Sequence, residues 1–247
     1  MRPPAAGARS GGGAPGHRVG ERRLGSLFDN LHLAGAVAPG MVASKLIAGQ
    51  DIVVGKSMAL RRGDVAALGG FEAVKDVLAE DYVIGRWITG RLGKRVVLAR
   101  TPVVNVNEQR RVADFYGRYA RWSVMQRKAV GLPIYLSQLM LNPILLGLLG
   151  LAARPSPAAL LAFLALCAVK TAIDGASGRL LRGAGFFPAD LLLVPVKDVI
   201  FGAAWLHGLL RDDVVWRGKR LRVRRGTWVS PLPSSGRPPA FGAAAVR

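Results

Sequence analysis

Cysteine occurs once in the 247 residues, at Cys167, and histidine only three times. A lone cysteine excludes an intrachain disulfide and any cysteine-based metal centre. No two histidines stand at metal-ligand spacing, so His32 and His207, both in apolar stretches, read as packed or interfacial side chains. Acid is scarce as well: 15 Asp and Glu stand against 35 Lys and Arg, a formal charge of +20. The opening "MRPPAAGARSGGGAPGHRVGERR" has no apolar run of signal-peptide length. Its Gly, Pro, Ala and Arg content predicts a disordered segment over residues 1–23. What abounds is apolar side chain, 51% of the total, in long uncharged runs that argue against a nucleic-acid-binding domain despite the charge. The chain reads as a basic polar part joined to a membrane part.

The apolar residues collect in three runs, 130–153, 157–173 and 186–210. Each approaches the ~20 residues that cross a hydrocarbon core, which predicts transmembrane helices over 129–210. The third run contains Asp190, Lys197 and Asp198, costly inside a membrane unless they face a cavity or each other. Residues 211–247 form a basic tail. Between Arg211 and Arg225 seven basic residues meet two acidic ones, which favours the cytoplasmic side. Three crossings would put the tail opposite the polar module, so span count and charge disagree.

Residues 24–128 predict an α/β module with interfacial helices. The stretch 24–48, broken by Gly35, Pro39 and Gly40, suits either a helix pair lying on a bilayer or a helix buried in a core. "DIVVGKSMALRR", "KRVVLAR" and "PVVNVNE" have the β-branched density of strands. "RGDVAALGGF" suits a short helix stopped by Gly69 and Gly70, and "DYVIGRWITGRL" a longer one.

Two places carry chemistry. Glu80 and Asp81 fall in a helix's first turn, where carboxylates complement the dipole or, near a hydroxyl, serve as a general base. On a helix from about Ala113 to Lys128, Phe115, Tyr119 and Trp122 form an aromatic stripe at i, i+4 and i+7, bordered by Arg118 and Arg121. Two guanidiniums so spaced can hold a pyrophosphate or a carboxylate. They suit lipid phosphates equally well, on a membrane-surface helix.

The order of these elements is more specific than either motif. "GKSMALRRGDVAALGGFEAVKDVLAEDYVIGRWI" followed by "RYARW", apolar helices and "WRGKRLRVRRG" resembles the ceramide glucosyltransferase family over roughly Leu24 to Gly226. That family comprises membrane-bound inverting glycosyltransferases of GT-A fold and includes bacterial hopanoid-linked relatives. The resemblance implies a partial GT-A type α/β domain followed by C-terminal transmembrane helices, multi-pass in the membrane with a cytoplasmic catalytic face. It implies a UDP-sugar donor and a lipid acceptor, ceramide first and a hopanoid second, and no nucleic-acid partner. By the same resemblance Asp81 (EDY) is the base for the lipid hydroxyl. Arg118, Arg121 and Trp122 ([Q/R]xxRW) bind the nucleotide diphosphate and shape the acceptor tunnel, with Glu80 beside them in the substrate site. The intact family carries a divalent cation (Mg²⁺ or Mn²⁺) on a DxD motif preceding this region. No DxD occurs here, and Asp212-Asp213 stands in the tail. The expectation is therefore an N-terminally shortened member whose own activity is open. The rival is a non-catalytic membrane protein whose basic face binds anionic lipid or a partner.

Overall fold

Among the described residues, proline, glycine and side-chain caps divide the chain into ten α-helices and one small sheet. The computed structural model describes residues 23–47, 49–51, 53, 55, 57–98, 107–182 and 186–232. The segment 1–23, apart from Arg23, lies outside them, as does most of "PVVNVNE".

Helix α1 (Leu24–His32) passes through a π-helical turn (Leu33–Val37) into α2 (Ala38–Leu46). Of the two readings of this stretch, the buried one holds for α1, because all its residues from Gly25 to His32 are buried. A Cβ at Gly25 would overlap the Arg111 carbonyl, so glycine lets α1 close on the backbone at Arg111.

Helix α3 (Arg62–Ala67) ends as the glycine pair suggested. Gly69 and Gly70 take φ of 88° and 72°, and their amides donate to the Ala66 and Val65 carbonyls at 3.0 and 2.9 Å, a left-handed cap available cheaply only to glycine. Helix α4 (Glu80–Gly90) follows. Its Ile84 and Ile88 pack with Leu68, Val74 and Val77 in one small core.

The expected strands around Asp51–Arg62 and Lys94–Arg100 are absent from the described residues, where both segments are irregular. Side chains take over the ladder's role there. The Val96 N–H donates to the Asp51 carboxylate at 3.0 Å, and Lys45 donates to the Val96 carbonyl at 2.7 Å while ion-pairing with Asp51. A half-buried backbone needs these bonds from somewhere.

Helix α5 (Val112–Val130) is the central element. Asp114 starts it by accepting from the Arg111 N–H at 2.8 Å, and Gly131 at φ 85° ends it. α6 (Leu132–Ser137) and a short 3-10 turn lead to α7 (Pro143–Ala153). Asn142 caps α7 by accepting from Leu145 N–H at 3.1 Å, and the two halves meet at 83°. The run 130–153 is therefore a bent pair where a straight crossing was expected. Pro143 has no N–H to continue the earlier helix.

Helix α8 (Pro157–Arg182) is capped by Ser156. Its stretch Pro157–Leu180 is the one helix among the described residues long and apolar enough to cross a membrane; counting the bent pair as a span makes two. The third expected crossing divides into α9 (Pro188–Leu191) and α10 (Val194–Leu210). The 17 residues of α10 lie chiefly along α5.

Lys197 and Asp198 of the third run do face one another, and they meet two charges of α8. Lys197 donates to Asp174 at 3.0 Å and lies 2.8 Å from Asp198. Lys170 ion-pairs with Asp174 and stands 3.5 Å from Asp198. Two cations and two anions cancel, which is how charge persists in an apolar bundle. Gly35, within the π turn, leaves room for this network, because a Cβ there would overlap the Asp174 carboxyl.

The tail is more ordered than a basic composition implied. β1 (Asp213–Trp216), β2 (Lys219–Val223) and β3 (Val229–Pro231) form an antiparallel sheet in the order β1-β2-β3. Val214 faces Leu221, and Val223 faces Val229. Val214, Leu221 and Val223 pack on Val124 of α5 and on Leu78.

Candidate active site

The aromatic stripe of α5 lies in the core. Phe115 and Tyr119 are buried, with ring centroids 4.7 Å apart and Trp122 5.5 Å from Tyr119. Phe28 and His32 of α1 and Phe201 of α10 pack on the same rings. His32 is packed, as its apolar surroundings suggested. Burial, and then the charges of Lys197, Lys170 and Arg118, hold its imidazole well below the ordinary value.

Asp29, one turn before His32, has no solvent exposure. It accepts from the Tyr119 hydroxyl at 2.8 Å and forms an ion pair with Arg118. The Arg110 Nε stands 4.0 Å away, and the Arg110 N–H donates to Ser26 of α1 at 2.9 Å. The Arg118 guanidinium, fixed this way, lies 5.1 Å over the Trp122 ring. Sequence reasoning missed Asp29. Its signal was an isolated carboxylate in the apolar run "LFDNLHL", on the face that becomes buried.

Arg121 differs from Arg118. It is half-buried and makes no ion pair among the described residues. Burial, then the nearby charges of Arg118 and Arg110, lowers its pKa from the ordinary arginine value, although an arginine stays protonated through any such shift. Arg118 and Arg110 thus share Asp29, while Arg121 beside them has no carboxylate of its own among the described residues. Such a spot suits an anion with several oxygens.

Glu80 is exposed at the start of α4. Asp81 turns back: its carboxylate accepts from the Gly55 N–H at 2.5 Å and from the Tyr82 N–H at 2.7 Å. Gly85 gives this contact room, since a Cβ there would lie 2.7 Å from Val53 Cγ2. Beside it opens a polar cleft of about 290 Å³ lined by Gly49, Gln50, Asp51, Tyr82, Arg86 and Thr89. Tyr82, Arg86 and Thr89 recur at i, i+4 and i+7, one face of α4.

The two motifs sit on one body. The Leu78 N–H donates to the Thr227 carbonyl at 2.9 Å and the Val229 N–H to the Asp76 carbonyl at 2.8 Å. The sheet thereby holds the turn before Glu80 while packing on α5 at Val124. Among the described residues no hydrogen bond or ion pair joins Asp81 to Arg118 or Arg121. Asp212 and Asp213 are engaged elsewhere: Asp212 with Arg127 at 2.5 Å and Lys128 at 2.7 Å, Asp213 with Arg220 at 2.8 Å.

The resemblance implies a divalent cation. Among the described residues no three His, Cys, Asp or Glu side chains come together as a ligand set.

No curated protein and no solved structure matches the chain. The family profile described as "Glycosyl transferase family 21" matches residues 15–229, which takes in α1 with Asp29, the EDY turn, the RxxRW helix, the apolar helices and nearly all of the sheet. On that span the chain belongs to glycosyl transferase family 21.

Proposed function

We propose that the protein transfers a hexose from a UDP-sugar to the hydroxyl of a membrane lipid, with inversion at the anomeric carbon. The observation that carries the reading is Arg121, a half-buried guanidinium on α5 beside Arg118 that makes no ion pair among the described residues. Family membership supplies the reaction class. The charge at Arg121 fits the leaving diphosphate, which gains negative charge as the glycosidic bond to it breaks.

In this mechanism Asp81 takes the proton of the lipid hydroxyl as its oxygen attacks the anomeric carbon from the face opposite the diphosphate. Among the described residues, two backbone amides are the groups that hydrogen-bond the Asp81 carboxylate. The Gly55 loop is therefore the element that must move for the base to reach substrate. Arg121 holds the diphosphate; Arg118, fixed by Asp29, lines the same site with Trp122. Glu80 complements the helix dipole.

Ceramide is the first acceptor, with a hopanoid polyol second. Both present a hydroxyl at the polar margin of a bilayer, which α8 would reach from within. The site then faces the cytoplasm, as does the basic tail. The test is incubation of membranes containing the full chain with labelled UDP-glucose and ceramide or hopanoid acceptor. Labelled glycolipid is the expected product. Its absence with every nucleotide sugar and both acceptors, in membranes where the chain is folded, overturns the reading.

A further inference from the structure

The β1-β2-β3 sheet carries cations that find no counter-ion among the described residues. Arg217, Lys219, Arg222, Arg224 and Arg225 are all exposed. Among the described residues none of the five makes an ion pair, while the carboxylates of this region, Asp212 and Asp213, are engaged by Arg127, Lys128 and Arg220. Two tryptophans stand among these cations, Trp216 at 42% and Trp228 at 45% exposure. The Arg217 guanidinium lies 4.9 Å over the Trp216 ring.

The sheet also continues an apolar surface. On α10, Val196, Val199, Leu206 and Leu210 are exposed, and their spacing puts them on one face. That face ends three residues before β1, whose outward Val215 is exposed as well. Along the chain the surface changes from aliphatic to tryptophan and arginine. That is the order met on leaving a bilayer core for its headgroup layer.

We propose that the β1-β2-β3 sheet is a docking surface for the anionic headgroups of a lipid bilayer. Five unpaired cations match a surface of phosphates in the numbers such polybasic segments use. The tryptophans fit the interfacial layer, where an indole keeps its ring in apolar surroundings and its N–H in water. The sheet also grips the turn before Glu80 through Leu78 and Val229. Docking therefore sets the depth of that turn relative to the headgroups. The proposal stands independently of hexose transfer.

The test uses the full chain with Cys167→Ser and Val215→Cys, the new thiol carrying a polarity-sensitive fluorophore. It is placed in nanodiscs of phosphatidylcholine alone or with phosphatidylglycerol. The expected result is a blue-shifted, brighter signal with the anionic lipid, reversed in about 0.5 M NaCl, where screening shortens to a few Å. The triple variant Arg217→Gln, Arg222→Gln, Arg224→Gln should weaken docking by about a hundredfold. The same three positions changed to Lys should retain it, which separates charge from folding. A signal equal in both lipids, or unaltered by the Gln changes, overturns the proposal. A signal in neutral nanodiscs that rises with the number of chains per disc assigns the face to a second copy and overturns it too.

Discussion

Asp29 and Arg118, 89 residues apart, meet as a buried carboxylate and the guanidinium that neutralises it, with Tyr119 as the second donor at 2.8 Å. This pair ties α1 to α5 and separates the roles of the two arginines. Arg118 is a fixed, compensated cation beside Trp122; Arg121 is the one left with charge to offer. Breaking such a pair from one side leaves an uncompensated buried charge. Asp29→Asn should therefore destabilise the fold by roughly 3 kcal/mol, and Tyr119→Phe, which removes a single hydrogen bond, by about 1 kcal/mol. Thermal unfolding of the purified variants in detergent measures both. Equal effects would mean that the ion pair contributes nothing.

The four-charge network makes a sharper claim about additivity. Lys197→Met leaves Asp174 and Asp198 with Lys170 as their remaining cation, and should cost about 3–5 kcal/mol. Adding Asp174→Leu removes the excess anion and should recover much of that loss, since a neutral, packed pair often matches a buried ion pair. A double-mutant cycle on unfolding midpoints reads the coupling. Losses that simply add would show that the two groups act independently.

His32 gives the fold an acid-sensitive point outside the apolar span. Its imidazole, held well below the ordinary value by burial and by Lys197, Lys170 and Arg118, stays neutral in the fold while the unfolded chain takes up a proton near pH 6.5. The unfolded state binds more protons between those two values. Stability is full above about pH 6.5 and falls as pH drops from there toward the folded value. His32→Phe, which keeps the ring packing on Tyr119 and Phe201, should flatten the profile between about pH 6.5 and 5. An unchanged slope in that variant would assign the acid sensitivity to other groups.

Asp81 and Glu80 should separate cleanly by activity. Asp81→Asn keeps the shape and removes the proton acceptor, so transfer should fall by ~10²–10⁴. Glu80→Gln removes only a dipole complement, at most ~1 kcal/mol of local stability, and should leave transfer near normal. Initial rates of glycolipid formation decide; near-normal transfer by Asp81→Asn would remove it from the role of base.

How far the sequence carried these conclusions depended on how local each signal is. The α5 helix, its aromatic stripe and the Gly69-Gly70 cap are set by neighbours within a turn, and all are present. That Lys197 and Asp198 face each other was one of the two arrangements that the cost of isolated charge allowed, the other being a cavity, while their α8 partners Asp174 and Lys170 were not foreseen. Strand readings failed where β-branched residues lacked a ladder. Val96 has its backbone bonds filled by Asp51 and Lys45, which no periodicity announces. The sheet went unread for the converse reason: alternation in Lys219–Val223 was hidden by its arginines, and pairing depended on a turn at Arg217 and Gly218, both at positive φ. At the site, sequence order brought out the two motifs, while Asp29 was visible only once α1 was seen buried against α5.

The central claim is that Arg121 binds the diphosphate of a nucleotide sugar. Titrating uridine diphosphate into the purified full chain and into its Arg121→Gln variant, by calorimetry at low salt, tests it directly. A charged hydrogen bond contributes about 1.5–3 kcal/mol, so binding by the wild-type chain should weaken in the variant by roughly 10- to 150-fold. Equal affinity in the two proteins, or no binding by the wild-type chain, would contradict the account.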